Sequence, residues 1–329
     1  MTSSMTRMNF MDLGLLRSFL VILKCGSITD AADRLGVAQP SLSQQLLRLE
    51  DELKIKLFTR TARGVMATEG ARIFEQHART ILRDFERARE DVRGLEGVLS
   101  GKVTMGLPFS LSLLLGVPLL LAVQEQLPKV SLTLEEAMSG HIRQWLEDGT
   151  IDLALLYNAD EFRHLSARPL VLEELCLVGR LGDFGPVDSQ GMALQPIELA
   201  KVAPLRLILP TSRHGLRQFV NANTKGSIIA DAVQMEVDSL QHIKALVAAG
   251  HGHSILSQAA IAEELKMKTL AAARLVDPPL QREVHIVRNP SRIVTRASVG
   301  VEGLLVDLVQ SMIANRRWRV TMLSNGLHP

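Results

Sequence analysis

Cysteine is scarce: Cys25 and Cys176 are the only two in 329 residues. Cys25 falls on the apolar face of the first helix the sequence predicts, which argues against a thiol switch and fits a reducing, cytoplasmic setting. Long apolar runs are equally few. Leu13–Leu23 is interrupted by Arg17 and is followed by no small-residue cleavage pattern, so it reads as a core helix with Leu16, Phe19, Leu20 and Leu23 on one face, and export is not expected. Leu111–Val123 contains Ser112 and Pro118 and falls short of the roughly 20 residues a bilayer requires. No membrane contact is expected. A Gly-rich phosphate loop, a nucleophile elbow and a catalytic triad are all missing. His242, His251 and His253 have neither thiolate partners nor a helical two-His carboxylate pattern, so neither metal nor cofactor is expected. The net charge is only +2, and the basic excess is N-terminal, with nine Lys or Arg against six Asp or Glu in residues 1–68. Any nucleic-acid affinity must therefore come from placement of charge rather than its amount.

What is present is a pair of short helical patterns meeting at a glycine, Ser27 to Glu50. Ser27 with Asp30 three residues on forms a capping-box-like start, and Ala31, Ala32 and Leu35 make an inward stripe. Gly36 permits a tight turn. In the second helix Leu42, Leu46, Leu49 and Leu53 recur every three or four residues, which buries one side and turns Gln39, Ser43, Gln44 and Arg48 outward. Gln can bond a base edge bidentately, Ser can donate or accept, and Arg can neutralise phosphate, as a helix in the major groove requires. An ordinary helical hairpin with a polar outer face satisfies the same spacing.

The stretch Leu15–Thr68 resembles the N-terminal domain of LysR-type bacterial transcription regulators. The likeness rests on Leu16, Phe19, Gly26-Ser27, Ala31-Ala32, Leu35, Gln39-Pro40-Ser41-Leu42-Ser43, Leu49-Glu50, Leu53, Leu57-Phe58, Arg60 and Thr68-Glu69-Gly70. It implies DNA-contacting roles for Ser27, Gln39, Pro40, Ser41, Ser43, Gln44 and Arg48, and a wing over 60–68 whose Arg63-Gly64 tip could enter a narrow minor groove. A solvated surface turn is the plain alternative for that tip. Ala38 stands at an N-cap position where the family often has Ser or Thr, and Gln44 where it often has Arg, so an Arg-to-guanine contact does not carry over.

A long polar helix follows, with Phe74, Ala78, Ile81, Phe85, Ala88, Val92 and Leu95 at alternating steps of four and three. That narrow seam is a coiled-coil signature and predicts dimerisation, the alternative being a helix laid on its own domain. A twofold dimer would read a roughly palindromic double-stranded operator.

From Gly101 strands and helices alternate. Strands are predicted at Val103–Leu107, Val130–Glu135, Ile151–Leu156, Leu175–Val178, Leu205–Leu209, Met235–Val237, Ser254–Leu256 and Glu283–Val287, with helices at Ser110–Gln126, Ile142–Glu147, Leu216–Ala222, Leu240–Ala248, Gln258–Leu265 and Ala297–Ile313. Gly149-Thr-Ile-Asp152, Leu127-Pro128 and Val247-Ala-Ala-Gly250-His-Gly252 are similar to landmarks of the family's effector-binding half. The expected class is therefore α/β: an N-terminal winged helix-turn-helix over 9–68, a coiled-coil linker helix over 69–97, and a two-lobed, periplasmic-binding-protein-like effector domain over 98–329. Lobe I is expected at about 101–172 and 276–315, lobe II at about 173–275, with crossings near Leu172–Glu174 and Leu275–Pro278. The resemblance implies a small anionic effector in the cleft, met by Ser110, Ser112 and Ser139 from one lobe and Thr211, His214 and Arg217 from the other. Each Ser also has a plain N-cap reading, and His214 and Arg217 a solvated one. A dimer of dimers and contact with RNA polymerase are further implications. An enzyme with an accessory DNA- or partner-binding N-terminal domain is the alternative function, while a pure solute-binding protein would leave the first 95 residues unexplained. Residues 1–9 read as a flexible lead-in with Met8 and Met11 as alternative starts, and Arg316-Arg317-Trp318-Arg319 as a solvated basic tail.

Overall fold

The computed structural model describes residues 12–61, 64–93, 99–158, 164–224, 229 and 231–323. Two compact units divide the chain, residues 1–92 and 93–329.

In the first unit, α1 (Leu13–Cys25) opens on the N-cap Asp12, whose carboxylate accepts from the Leu15 N–H at 2.9 Å, and ends where Gly26 turns left-handed. Next, α2 (Ile28–Leu35) stops at Gly36 in the same conformation, and α3 (Gln39–Leu53) begins at Ala38 with no side-chain cap and a proline in its first turn. A hairpin of β1 (Phe58–Thr61) and β2 (Gly64–Ala67) leads into α4 (Glu69–Arg93). The core is Leu16, Phe19, Ile22, Ala31, Ala32, Leu42, Leu46, Leu49, Leu57 and Phe58, joined by Ala71 and Ala78 from α4. Phe74 also packs there, edge-on to Phe19 with ring centroids 5.1 Å apart. Thus the first two seam residues of α4 belong to the head's own core, whereas Ile81, Phe85, Ala88 and Val92 are exposed. Leu95 lies outside the described residues.

Among the described residues the second unit holds a mixed nine-stranded sheet and, in lobe II, a separate pair of parallel strands. Parallel β3 (Gly101–Pro108), β4 (Val130–Ala137) and β5 (Leu153–Tyr157) are joined by the helices α5 (Phe109–Gln126) and α6 (Ser139–Glu147). The strand β6 (Ser166–Arg180) then runs fifteen residues through both lobes. Lobe II follows with β7 (Ile197–Glu198), β8 (Leu207–Leu209), α7 (Gly215–Asn223), β9 (Val233–Glu236), α8 (Leu240–Ala248), β10 (Ser254–Ser257), a 3₁₀ turn Gln258–Ile261, α9 (Ala262–Lys266) and β11 (Leu270–Val276). The chain returns through β12 (Gln281–Arg288) to α10 (Arg296–Ala314) and β13 (Val320–Met322).

Only Leu175–Val178 of β6 was legible as a strand, since its first part, Ser166-Ala-Arg-Pro169, is polar and contains a proline. A register shift between Val284 and His285 of β12 lies opposite that proline, where the missing N–H costs no ladder bond. Residues 166–174 of β6 pair with β12, and 176–180 with β11, so the strand changes lobes at about Leu175. Leu175, Leu177 and Val178 enter the lobe II core, whereas Leu170 and Val171 enter that of lobe I.

The apolar run Leu111–Val123 lies within the 18-residue α5, and α5 and α10 are both long and apolar enough to span a membrane by length and composition. One face of each is nonetheless committed to the lobe I core, through Leu111, Leu115, Leu119 and Val123 of α5 and Val301, Leu305 and Val309 of α10. The basic tail is also not a solvated terminus. Trp318 is fully buried in lobe I, and β13 pairs with Val171–Glu173 of β6. Arg319 pairs with Asp188 of lobe II, donates from Nε to Gln190 at 2.9 Å and donates its backbone N–H to Gln258 at 2.8 Å. The tetrapeptide's charges sit around a tryptophan anchor, so local composition misled.

Truncating Trp318 to Ala removes a core side chain and should cost about 3–5 kcal/mol. Calorimetric unfolding should show the effector unit melting at markedly lower temperature; an unchanged midpoint would return this segment to the solvated class.

Candidate functional sites: the outward face of α3 and the cleft between the lobes

On α3, burial of Leu42, Leu46 and Leu49 orients the helix so that Gln39, Pro40, Ser41, Gln44 and Arg48 stand exposed, with Ser43 half-buried among them. Gln39 donates from Nε2 to the Ser43 Oγ at 2.9 Å, which fixes its amide while leaving Oε1 and one N–H for a partner. Ala38 supplies no side-chain cap, Pro40 has no N–H, and the Ser41 and Leu42 N–H groups donate to the Ala38 carbonyl, which leaves the Gln39 N–H for a phosphate. Ser27 has a different task. Its Oγ accepts the Asp30 N–H at 3.3 Å as the N-cap of α2, which leaves its O–H to donate to a nucleic acid. Arg63 lies outside the described residues. The hairpin that carries it is pinned where the Val65 N–H donates to the Gly26 carbonyl at 2.8 Å. A Cβ at Gly64 would stand 2.3 Å from that same oxygen, so only glycine fits this approach.

Glu50 was visible only as part of a resemblance, and the structure supplies its reason. It is buried, accepts the Leu57 and Phe58 N–H groups at 2.8 and 3.2 Å, and takes Lys56 Nζ at 2.7 Å. Burial pushes its pKa up, but the Lys56 bond and the two backbone donors outweigh that and hold it below the ordinary value of 4.5. The carboxylate thereby ties the end of α3 to the start of the wing.

In the second unit a cavity of about 850 Å³ opens between the lobes. Lobe I contributes Ser110 and Phe109 at the start of α5, Ser139 and Gly140 at the start of α6, Tyr157 at the end of β5 and Asn158 just after it. Lobe II contributes Arg213, His214, Phe219, Asp238 and Ser257. Neither α5 nor α6 has a side-chain cap, because Pro108 and Met138 occupy those positions, so both helices aim unsatisfied N–H groups at the cleft. The Ser110 and Tyr157 hydroxyls are 2.7 Å apart. His214 accepts the Leu216 N–H through Nδ1, and burial lowers its pKa from 6.5, which keeps the ring neutral near pH 7.

Three predicted effector residues do not line this cavity. Ser112 lies further along α5, Thr211 gives its N–H and Oγ1 to Asp238, and Arg217 is buried and occupied by Asn221, the Pro210 carbonyl and Glu236. Sequence reasoning missed Tyr157, Ser257 and Arg282. The only signal for Arg282 was a charge opening an otherwise apolar alternation, Arg282-Glu-Val-His-Ile-Val287. Cys176 is buried on β6, and burial, with Glu174 and Glu173 nearby, pushes its thiol up to about 12, far from the reactive thiolate.

Residues 13–72 match the family described as bacterial regulatory helix-turn-helix protein, lysR family, and residues 96–300 match the LysR substrate binding domain. The chain is similar to the nitrogen assimilation regulatory protein nac of Klebsiella aerogenes, with 31% identity over 91% of this chain and 95% of that one. It is 28% identical to the HTH-type transcriptional regulator BbuR of Bordetella bronchiseptica, over 82% and 81% of the two chains. Among solved structures, a hydrogen-peroxide-bound OxyR mutant of Corynebacterium glutamicum is 26% identical, with a TM-score of 0.59, over 92% of this chain and 94% of that one. Full-length CbnR complexed with its target DNA shares the fold, with a TM-score of 0.66 at 20% identity over 92% and 99% of the chains.

Because the folded state holds Glu50 ionised, its contribution is complete above the ordinary carboxylate range and is lost as pH falls through the depressed value. Glu50→Gln should therefore destabilise the first unit by about 1–3 kcal/mol at neutral pH. The two proteins should converge as pH falls through that depressed value, since both side chains are then neutral. Thermal denaturation across that range measures the difference, and a gap independent of pH would contradict the assignment.

Proposed function

This chain belongs to the LysR family of bacterial transcription regulators, and from that premise we propose how its parts divide the work. Members are regulators rather than enzymes, which sets aside the enzyme alternative. The outward face of α3 reads an operator in the major groove, through Gln39, Ser41, Ser43 and Gln44 at base edges and Arg48 at phosphate. The observation that carries this reading is the division of α3 itself: three leucines buried on one side, and on the other an uncapped N-terminus with a pre-oriented Gln39. A regulator gripping the chromosome works in the cytoplasm.

The cleft takes a small effector with at least one anionic group. Its support is the convergence of two uncapped helix N-termini with Ser110 and Ser139 on a cavity large enough for a metabolite. Effector binding favours one angle between the lobes, and that preference is the signal.

Self-association uses the apolar stripe that α4 leaves uncovered, where Ile81, Phe85 and Val92 are 44, 46 and 67% exposed. Knobs at this spacing fit a partner helix. A second uncovered stripe on α5, Leu113, Val117 and Leu121, gives the effector unit its own surface, so two dimer contacts can build a dimer of dimers. The operator is then an inverted repeat.

Two measurements test this division. Gln39→Ala should weaken binding to a cognate duplex by about 1–3 kcal/mol and leave random duplex nearly unchanged; equal losses on both would remove Gln39 from base reading. Phe85→Glu should abolish the dimer seen in sedimentation of the first 93 residues fused to a monomeric carrier. A dimer that survives the charge would place association elsewhere.

A further inference from the structure

The cleft has a charged floor that neither lobe owns. Arg282 stands at the start of β12, immediately after the chain returns from lobe II, and Glu173 stands on β6 directly opposite it in the ladder. Both are almost fully buried, at 6% and 1% exposure. The guanidinium donates from Nε and Nη2 to one oxygen of Glu173, at 3.0 and 2.8 Å, and its Cζ lies 3.4 Å above the centre of the Tyr157 ring. Stacking and pairing therefore lock the fork. Nη1, with its two N–H groups, makes no hydrogen bond among the described residues, and Arg282 lines the cavity. Two residues further along the same face of β6, Leu175 pairs with Ser257, which also lines the cavity and whose buried hydroxyl has no partner among the described residues. A buried hydroxyl without a partner costs free energy, and a half-used buried guanidinium is a donor waiting for an acceptor.

We propose that Arg282 is the anion-reading residue of the cleft: a ligand carboxylate takes its Nη1, with a hydrogen bond from Ser257 to the same ligand. The carboxylate then shares the guanidinium with Glu173. Bringing a second negative charge to a paired arginine is unfavourable in a buried site unless other positive ends face it. The uncapped N-termini of α5 and α6 supply those ends. Since Glu173 and Arg282 lie on the two strands that join the lobes, any lengthening of their bond acts at the hinge. This inference rests on the cleft being an effector site, and it names the residue that reports occupancy to the hinge.

An ion pair that merely supports the fold predicts that altering either partner has the same consequence for a ligand. Competition predicts opposite ones. Calorimetric titration of the full-length protein with acetate, succinate and benzoate as probes separates the two. For whichever probe binds, Arg282→Lys, which loses the Nη1 fork but keeps the charge, should weaken binding about tenfold or more. Glu173→Gln, which removes the competing charge, should tighten it several-fold, although both variants unfold at lower temperature than the parent. Ser257→Ala keeps the packing, removes an unpaired buried hydroxyl, and should raise the melting temperature slightly while weakening the probe several-fold. Weakening by both Arg282→Lys and Glu173→Gln, or no change with Arg282→Lys, overturns the role of Arg282 and leaves the cleft as a binding site. Failure of all three probes to bind the parent protein overturns the cleft reading itself.

Discussion

The effector unit depends on one strand being continuous through two hydrophobic cores. β6 contributes Leu170 and Val171 to lobe I and Leu175, Leu177 and Val178 to lobe II, with no loop between them. A bend between the lobes must be taken up in this strand and in the return from β11 to β12. Both flank the cleft floor, and the buried Glu173–Arg282 pair joins them there. Tight packing transmits small displacements instead of absorbing them, so on the proposed function this crossing would convert occupancy of the cavity into an angle between lobes. β13 adds a second restraint, since it lies on β6 beside Glu173 while Arg319 reaches Asp188 in lobe II.

The first unit solves a different problem: it holds α3 rigid while leaving bare the outward face to which base reading is proposed. Leu42, Leu46 and Leu49 fix α3 from behind, Glu50 fixes its far end to the wing, and the Val65–Gly26 bond fixes the wing to the turn between α1 and α2. α4 serves two masters in sequence. Its first turns complete the head's core through Ala71, Phe74 and Ala78, and its later turns present Ile81, Phe85 and Val92 outward. Association through those later turns would set the position of α3 directly, because no flexible joint intervenes within this unit.

Much of this was legible locally. The stripes of α2 and α3, the turn at Gly36, the wing and most strands of the second unit follow from periodicity and from residues with special backbone needs. What escaped was non-local. Pro169 hid half of β6 because the register shift that accommodates it belongs to β12. Trp318 looked solvated among arginines because its pocket is made by residues far away in the chain. Arg217 looked available for a ligand, yet Glu236 and the Pro210 carbonyl had already taken it, whereas Arg282, unremarked in the sequence, faces the cavity. Residue type suggests which chemistry is possible, but burial and prior partners decide which groups remain to perform it.

The central claim is that a bare helix face reads sequence under the control of a sensor carried in the same chain. Selection of bound duplexes from a random-sequence pool by the purified full-length protein, with and without cell metabolites, tests it most directly. The account predicts enrichment of an inverted repeat whose occupancy or half-site spacing responds to a small carboxylate. A bound pool with the same sequence distribution as the input under every condition would contradict it.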